Sequence, residues 1–124
     1  HELSAEYDIA HGAGLAIIFP AWMKYVYKDN MDKFIKWATR VMGVSMDYGD
    51  PERTVLEAID RLELFFLSLG VPTKLRDVPG VEDLDEEVME RMAKRVRVVH
   101  EDGSIGWVRR LNTEDIVEIF KLAM

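Results

Sequence analysis

The sequence predicts an all-α fold, an irregular bundle of about five to six helices in a single domain over residues 1–124. Apolar residues recur at helical spacing, as in Phe34, Trp37, Ala38 and Val41, the i, i+3, i+4, i+7 signature of an amphipathic helix. Start signals stand where such segments begin. The clearest is Asp50-Pro51-Glu52, a capping acid, a proline suited to the first helical position and an acid for the first turn. Gly43 and Gly70 stand where segments should stop.

Composition narrows the function classes. The chain has 124 residues, 48% of them hydrophobic, enough for one packed core. A net charge of −7 argues against nucleic acid, whose binding needs a basic face. The absence of cysteine excludes disulfides and thiolate metal sites and fits a reducing cytoplasm. The longest apolar run, Ala13 to Met23, is too short for a membrane span.

The chain opens with HELSAEYDIAHGAGLAIIFPAWM. On one continuous helix, ten residues would put His1 and His11 on different faces. The stretch therefore reads as two helices with a corner: Glu2 to Tyr7, then Asp8-Ile9-Ala10, then a new helix from His11. Helix starts carry partial positive charge and disfavour imidazolium, and neutral imidazole is the form that binds metal. From Gly12 to about Lys28 the sequence is apolar nearly all round, which predicts a buried central helix, kinked at Pro20. Asn30 should cap the next helix, Met31 to Met42, with Trp37 as a core residue. After a connector at 44–49, a helix from Pro51 to about Leu69 carries the stripe Val55, Ile59, Leu62, Phe66 and Leu69. Leu64, Phe65 and Leu67 widen its apolar surface, which predicts a second packing surface.

Residues 73–83 read as loop, with one short turn at 75–78. Asp85 should cap a helix reaching about Val98, with Val88, Met89, Met92, Val96 and Val99 on its apolar face. The bases Lys94, Arg95 and Arg97 read as a solvated face. Asn112 to Asp115 form a box-like start for the final helix, whose buried stripe is Ile116, Ile119, Phe120 and Ala123. His100 has no motif around it and reads as a surface residue. Glu2 and Asp8, acids at helix ends, read as caps or solvated groups.

Two histidines alone carry little. Their setting carries more: HELSA before, HGAGLA and then PAWM after closely resemble the metal-site signature of the iron-containing (group III) alcohol dehydrogenases, in particular the NAD(P)H-dependent butanol dehydrogenases. The resemblance implies the helical C-terminal part of a dehydroquinate synthase-like fold. His11 matches a ligand of the catalytic Fe(II), or in some members Zn(II). His1 matches a position beside the metal, which implies a catalytic role and contact with the nicotinamide. The family's nucleotide-binding half, which holds NAD or NADP, and three further ligands, an Asp and two His upstream of the position matching His1, have no counterpart in this sequence. The chain therefore reads as a C-terminal fragment, inactive alone. Its parent is expected to be a cytoplasmic homodimer that oxidises primary alcohols or reduces aldehydes such as butanal.

The resemblance extends to HEDGSIGWVRRL at 100–111, which matches the loop bordering the family's substrate pocket. There the common Asn-Pro-Arg is replaced by Trp107-Val108-Arg109, so only Arg109 matches. Trp107 is the pocket candidate, against an ordinary reading as a hydrophobic plug. Two other classes of function stand beside the enzyme reading: a stand-alone helical structural or interaction module without chemistry, and a simple divalent-metal-binding protein.

Overall fold

The computed structural model describes residues 1–124. Six α-helices follow in order: α1 (Glu2–Tyr7), α2 (His11–Val26), α3 (Met31–Arg40), α4 (Pro51–Ser68), α5 (Glu86–Arg95) and α6 (Thr113–Leu122), with 3₁₀ turns at Tyr27–Asn30 and Leu75–Asp77. The fold class is the expected one. No strand forms, and the single bridge pairs Ile105 with Leu111.

The helices start where local chemistry places them. The side chains of Asn30, Asp50 and Asp85 accept the backbone N–H three residues on, in α3, α4 and α5 respectively. Each satisfies a donor that the first turn leaves unpaired. Asn112 and Asp115 form a reciprocal capping box on α6. Asn30, Asp50 and Asp85 therefore cap as the sequence predicts.

α2 is the hub. It packs on α4 on one side and α6 on the other, while α3 pairs with α4, α5 with α6, and α1 lies mainly on α5. The main core joins Ile17, Val26, Val55, Ile59, Met92 and Phe120, with Leu75 from the 3₁₀ turn. Ala38, Val44 and Ala58 form a small satellite between α3 and α4. Leu75 donates its N–H to the Ala123 carbonyl at 2.8 Å, tying the long loop to the end of the chain. No helix is long and apolar enough to cross a membrane.

Several sequence expectations need correction. α2 is not buried all round: Leu15 and Phe19 remain about half exposed, because α4 and α6 cover only part of its circumference. α3 stops at Arg40, which leaves Val41 exposed. α4 outruns its partners, so Leu69 joins Leu64, Phe65 and Leu67 on an exposed apolar ridge. α5 stops at Arg95, three residues short of the expected end, and leaves Val98 and Val99 exposed on the loop.

The core and the ridge differ in what they contribute. Ile59→Ala removes a fully buried side chain and should cost about 2–5 kcal/mol. Leu64→Ala, on the ridge, should stay within about 0.5 kcal/mol. Urea midpoints of the two variants check both.

Candidate functional site

The site is built on a corner. Asp8 ends α1 in the left-handed conformation, at φ 54°, the one non-glycine residue with positive φ. Aspartate tolerates this region better than most residues. Ser4 donates its hydroxyl to the Ile9 carbonyl at 2.7 Å, and Leu3 and Ile9 are buried beneath. The turn brings the start of α1 over the start of α2. The rings of His1 and His11 stack, with centroids 5.0 Å apart and planes 22° from parallel.

A six-residue helix does not hold itself in water, and α1 is held by α5. Arg95 donates to Glu2 at 2.9 Å and to Glu6 at 2.6 Å, while Arg91 also pairs with Glu6. Hydrogen bonds from Arg91 and Arg95 hold the Glu6 carboxyl below its usual range. Arg95, read from sequence as part of a solvated face, is thus a clamp. A signal for this was present: Glu2 and Glu6 are four residues apart, and so are Arg91 and Arg95, giving two matched one-turn ladders.

Behind the histidines lies an apolar cavity of about 200 Å³. One wall is the α2 face that begins at His11 and continues through Gly14, Leu15, Ile18 and Trp22. The opposite wall is Ile116, Ile119 and Phe120 of α6, closed by Leu3, Val96, Ile105 and Leu111. Of the polar lining groups, Glu2 is paired with Arg95 and Ser4 with the Ile9 carbonyl. The two imidazoles are left facing the space.

The loop of residues 99–111 supplies part of this wall and is strongly built. Gly106 has φ 104°, and a Cβ there would stand 2.6 Å from the Arg109 carbonyl oxygen, so only glycine fits. Asp102 pairs with Arg110 and accepts from Ser104. The Ser104 hydroxyl and the Arg110 guanidinium bring its carboxyl down to about 2. His100 is not a free surface residue: its Nε2–H donates to the Gly106 carbonyl at 2.7 Å, and its ring meets Trp107 edge-on at 4.8 Å. Nothing in the sequence around His100 signalled this, because its partner is a backbone carbonyl.

Arg109 fastens the loop to the bundle. Its guanidinium lies over the Tyr25 ring at 4.9 Å, donates to Asp115 at 3.1 Å and faces Asp29 at 3.7 Å. Tyr25 donates to the same Asp115 carboxylate at 2.6 Å. Burial opposes the charge on Asp115, but hydrogen bonds from Tyr25 and the Asn112 N–H and the charge of Arg109 outweigh it and hold the carboxyl below its ordinary value.

The structure thus brings His1 and His11 together and leaves Trp107 apart. Trp107 is 85% exposed and lies outside the cavity lining; it is no plug. The loop's contribution to the wall is Ile105 and Leu111. Sequence reasoning did not single out the cavity wall, because Ile18, Trp22 and Phe120 read equally well as core.

The donor set can be tested against a metal. Imidazole nitrogen suits Fe(II) and Zn(II), and a catalytic site needs about three protein ligands plus an open position. Nowhere in the chain do three His, Asp or Glu side chains converge. The residues present fit a share of such a ligand shell, not a whole one.

Comparison with known proteins places the chain in a family. The sequence model of the Fe-containing alcohol dehydrogenase family, C-terminal, matches residues 1–124. The chain belongs to that family. It is 43% identical over 122 residues to NADH-dependent butanol dehydrogenase A of Clostridium acetobutylicum, covering 98% of this chain and 30% of that one. It is 36% identical to a probable NADH-dependent butanol dehydrogenase of Bacillus subtilis, again over 30% of that protein. Among solved structures, the NADH-dependent butanol dehydrogenase A of Thermotoga maritima superposes with a TM-score of 0.82 at 36% identity, covering 99% of this chain and 31% of that one. The chain therefore spans about a third of the length of these relatives. Family membership favours the enzyme reading over a structural module.

The clamp on α1 should be sensitive to acid. Glu6 has a depressed carboxyl, so its contribution is present above the unfolded value of 4.5 and is lost as pH falls through the lower folded value. Between about pH 5 and 2, the Leu3 methyl resonances should move before those of Ile59. Arg95→Ala should shift them in the same direction at neutral pH. Leu3 and Ile59 moving together would show that the clamp is not a separate element.

Proposed function

We propose that this chain is the helical, metal-bearing part of an iron-type alcohol dehydrogenase that oxidises primary alcohols, or reduces the corresponding aldehydes, with NAD or NADP. The observation that carries the reading is the stacked His1–His11 pair at an apolar cavity, in a chain whose relatives are named NADH-dependent butanol dehydrogenases. The cofactor in the names of those relatives favours NAD, and the family name favours iron over zinc.

In this reading residues 1–124 form one helical domain. The remaining length of the relatives holds a nucleotide-binding part for the dinucleotide and, upstream of the position of His1, the other metal ligands. The working enzyme is a cytoplasmic homodimer. His11 would hold the metal from the first turn of α2, where the packed hub helix keeps its imidazole in place. A divalent metal held there would supply Lewis-acid polarisation of the alcohol oxygen. His1, its ring 5.0 Å from that of His11 and open to solvent, takes the alcohol proton and relays it outward. It also borders the nicotinamide. The wall of Leu15, Ile18, Ile105 and Leu111 keeps water from the reacting carbon. Trp107 remains an outlying pocket candidate, beyond this wall.

The test separates the ligand from the chain's stability. In a polypeptide that joins this chain to its nucleotide-binding part, His11→Ala should reduce bound iron by more than about tenfold, the scale on which even outer-shell losses register. Alcohol-dependent nicotinamide reduction should fall with it. The 124-residue chain alone should turn over no alcohol. Iron content unchanged by His11→Ala would overturn the ligand assignment.

A further inference from the structure

Gly14 has no explanation within the folded chain. It sits in the first turns of α2, where a glycine costs about 1 kcal/mol relative to alanine. Helical glycines are usually retained for a positive φ or for close approach of a neighbour. Gly14 has neither: its φ is not positive, and a Cβ built there meets no atom within 4 Å. Yet the residue is buried and lines the cavity. The space that its side chain would take is cavity space.

Its position in the cavity gives that space a meaning. His11, Gly14, Leu15, Ile18 and Trp22 fall on one face of α2. The eleven steps from His11 to Trp22 rise about 16 Å along the helix. The cavity is therefore elongated, with two free imidazoles at one end and Trp22 at the other. Gly14 lies one turn in from the polar end, at the passage between them. A ligand matched to this shape has one polar group at its head and an unbranched apolar tail.

We propose that Gly14 is a specificity-determining residue. Its missing side chain opens the passage through which the alkyl tail of a primary alcohol or aldehyde runs from the histidine end along α2. The longest tail accepted is then set by Gly14 together with Ile18 and Trp22. The proposal rests on the reading above, that the substrate oxygen sits at the His1–His11 end.

The test uses the 124-residue chain and a series of straight-chain alkanols from 1-propanol upward, followed by the indole N–H resonance of Trp22. Each buried methylene should tighten binding about fourfold, so 1-hexanol should bind about 60-fold more tightly than 1-propanol. Gly14→Leu should collapse that ratio to a few-fold while keeping helix content by circular dichroism. Gly14→Ala adds one methyl where no atom stands within 4 Å and favours the helix. It should lower the ratio to an intermediate value, and it keeps the proposal testable if the leucine variant fails to fold. The same ratio in wild type and the alanine and leucine variants would overturn the proposal, as would an unsaturable Trp22 response in the wild type. Alkanol binding here needs neither metal nor nucleotide. Its failure would therefore count against the passage alone, whereas iron binding indifferent to His11→Ala would count against the reading beneath it.

Discussion

The meeting of the two histidines depends on how a six-residue helix is held. α1 is too short to persist by its own hydrogen bonds, and it carries His1 at its start. Its place comes from three sources: burial of Leu3 and Ile9, the Ser4 bond across the corner, and the ladder of Glu2 and Glu6 against Arg91 and Arg95. These have different jobs. Apolar burial gives the association, while exposed ion pairs contribute little stability and a good deal of direction. Two guanidinium groups reading two carboxylates one turn apart fix rotation about the α1 axis, and that rotation decides whether the His1 ring faces the ring of His11.

α2 has two jobs on two faces. Ile17, Ala21, Met23 and Val26 are buried among the core helices, while the face from His11 to Trp22 borders empty space. A helix serving only stability would fill that space. Leaving it open forgoes dispersion contacts and helix propensity at once, a trade common where a fold holds a site. The rigid backing of the first face makes the second one useful, because an imidazole on a packed helix keeps its direction.

Local chemistry was legible in the sequence, and long-range pairing was not. The corner at 8–10, the caps at Asn30, Asp50 and Asp85 and the box at Asn112–Asp115 are all short-range devices, and each was readable from neighbouring residues. The corner was readable, whereas the stacking of His1 on His11 appears only in the structure. The failures lie where the outcome depends on what stands opposite. Leu69 and Val99 continue an apolar stripe, but nothing in the chain packs over them. Arg95 looked solvated because its partners are some ninety residues away. Ile18 and Phe120 looked like core because a cavity wall and a core have the same composition.

The pairing of α2 with α6 also has a consequence in time. Tyr25 and Asp115 meet across 90 residues of sequence, and the far wall of the cavity is made mainly of α6 and the loop before it. A chain emerging from its N-terminus can build the α3–α4 pair early, from neighbouring segments. α2 must wait until the residues of α6 have followed it before its second partner exists, with its apolar face in contact with solvent or with other chains meanwhile. The cavity is therefore the last feature to form: a chain stopped before Thr113 would have both histidines and no room behind them.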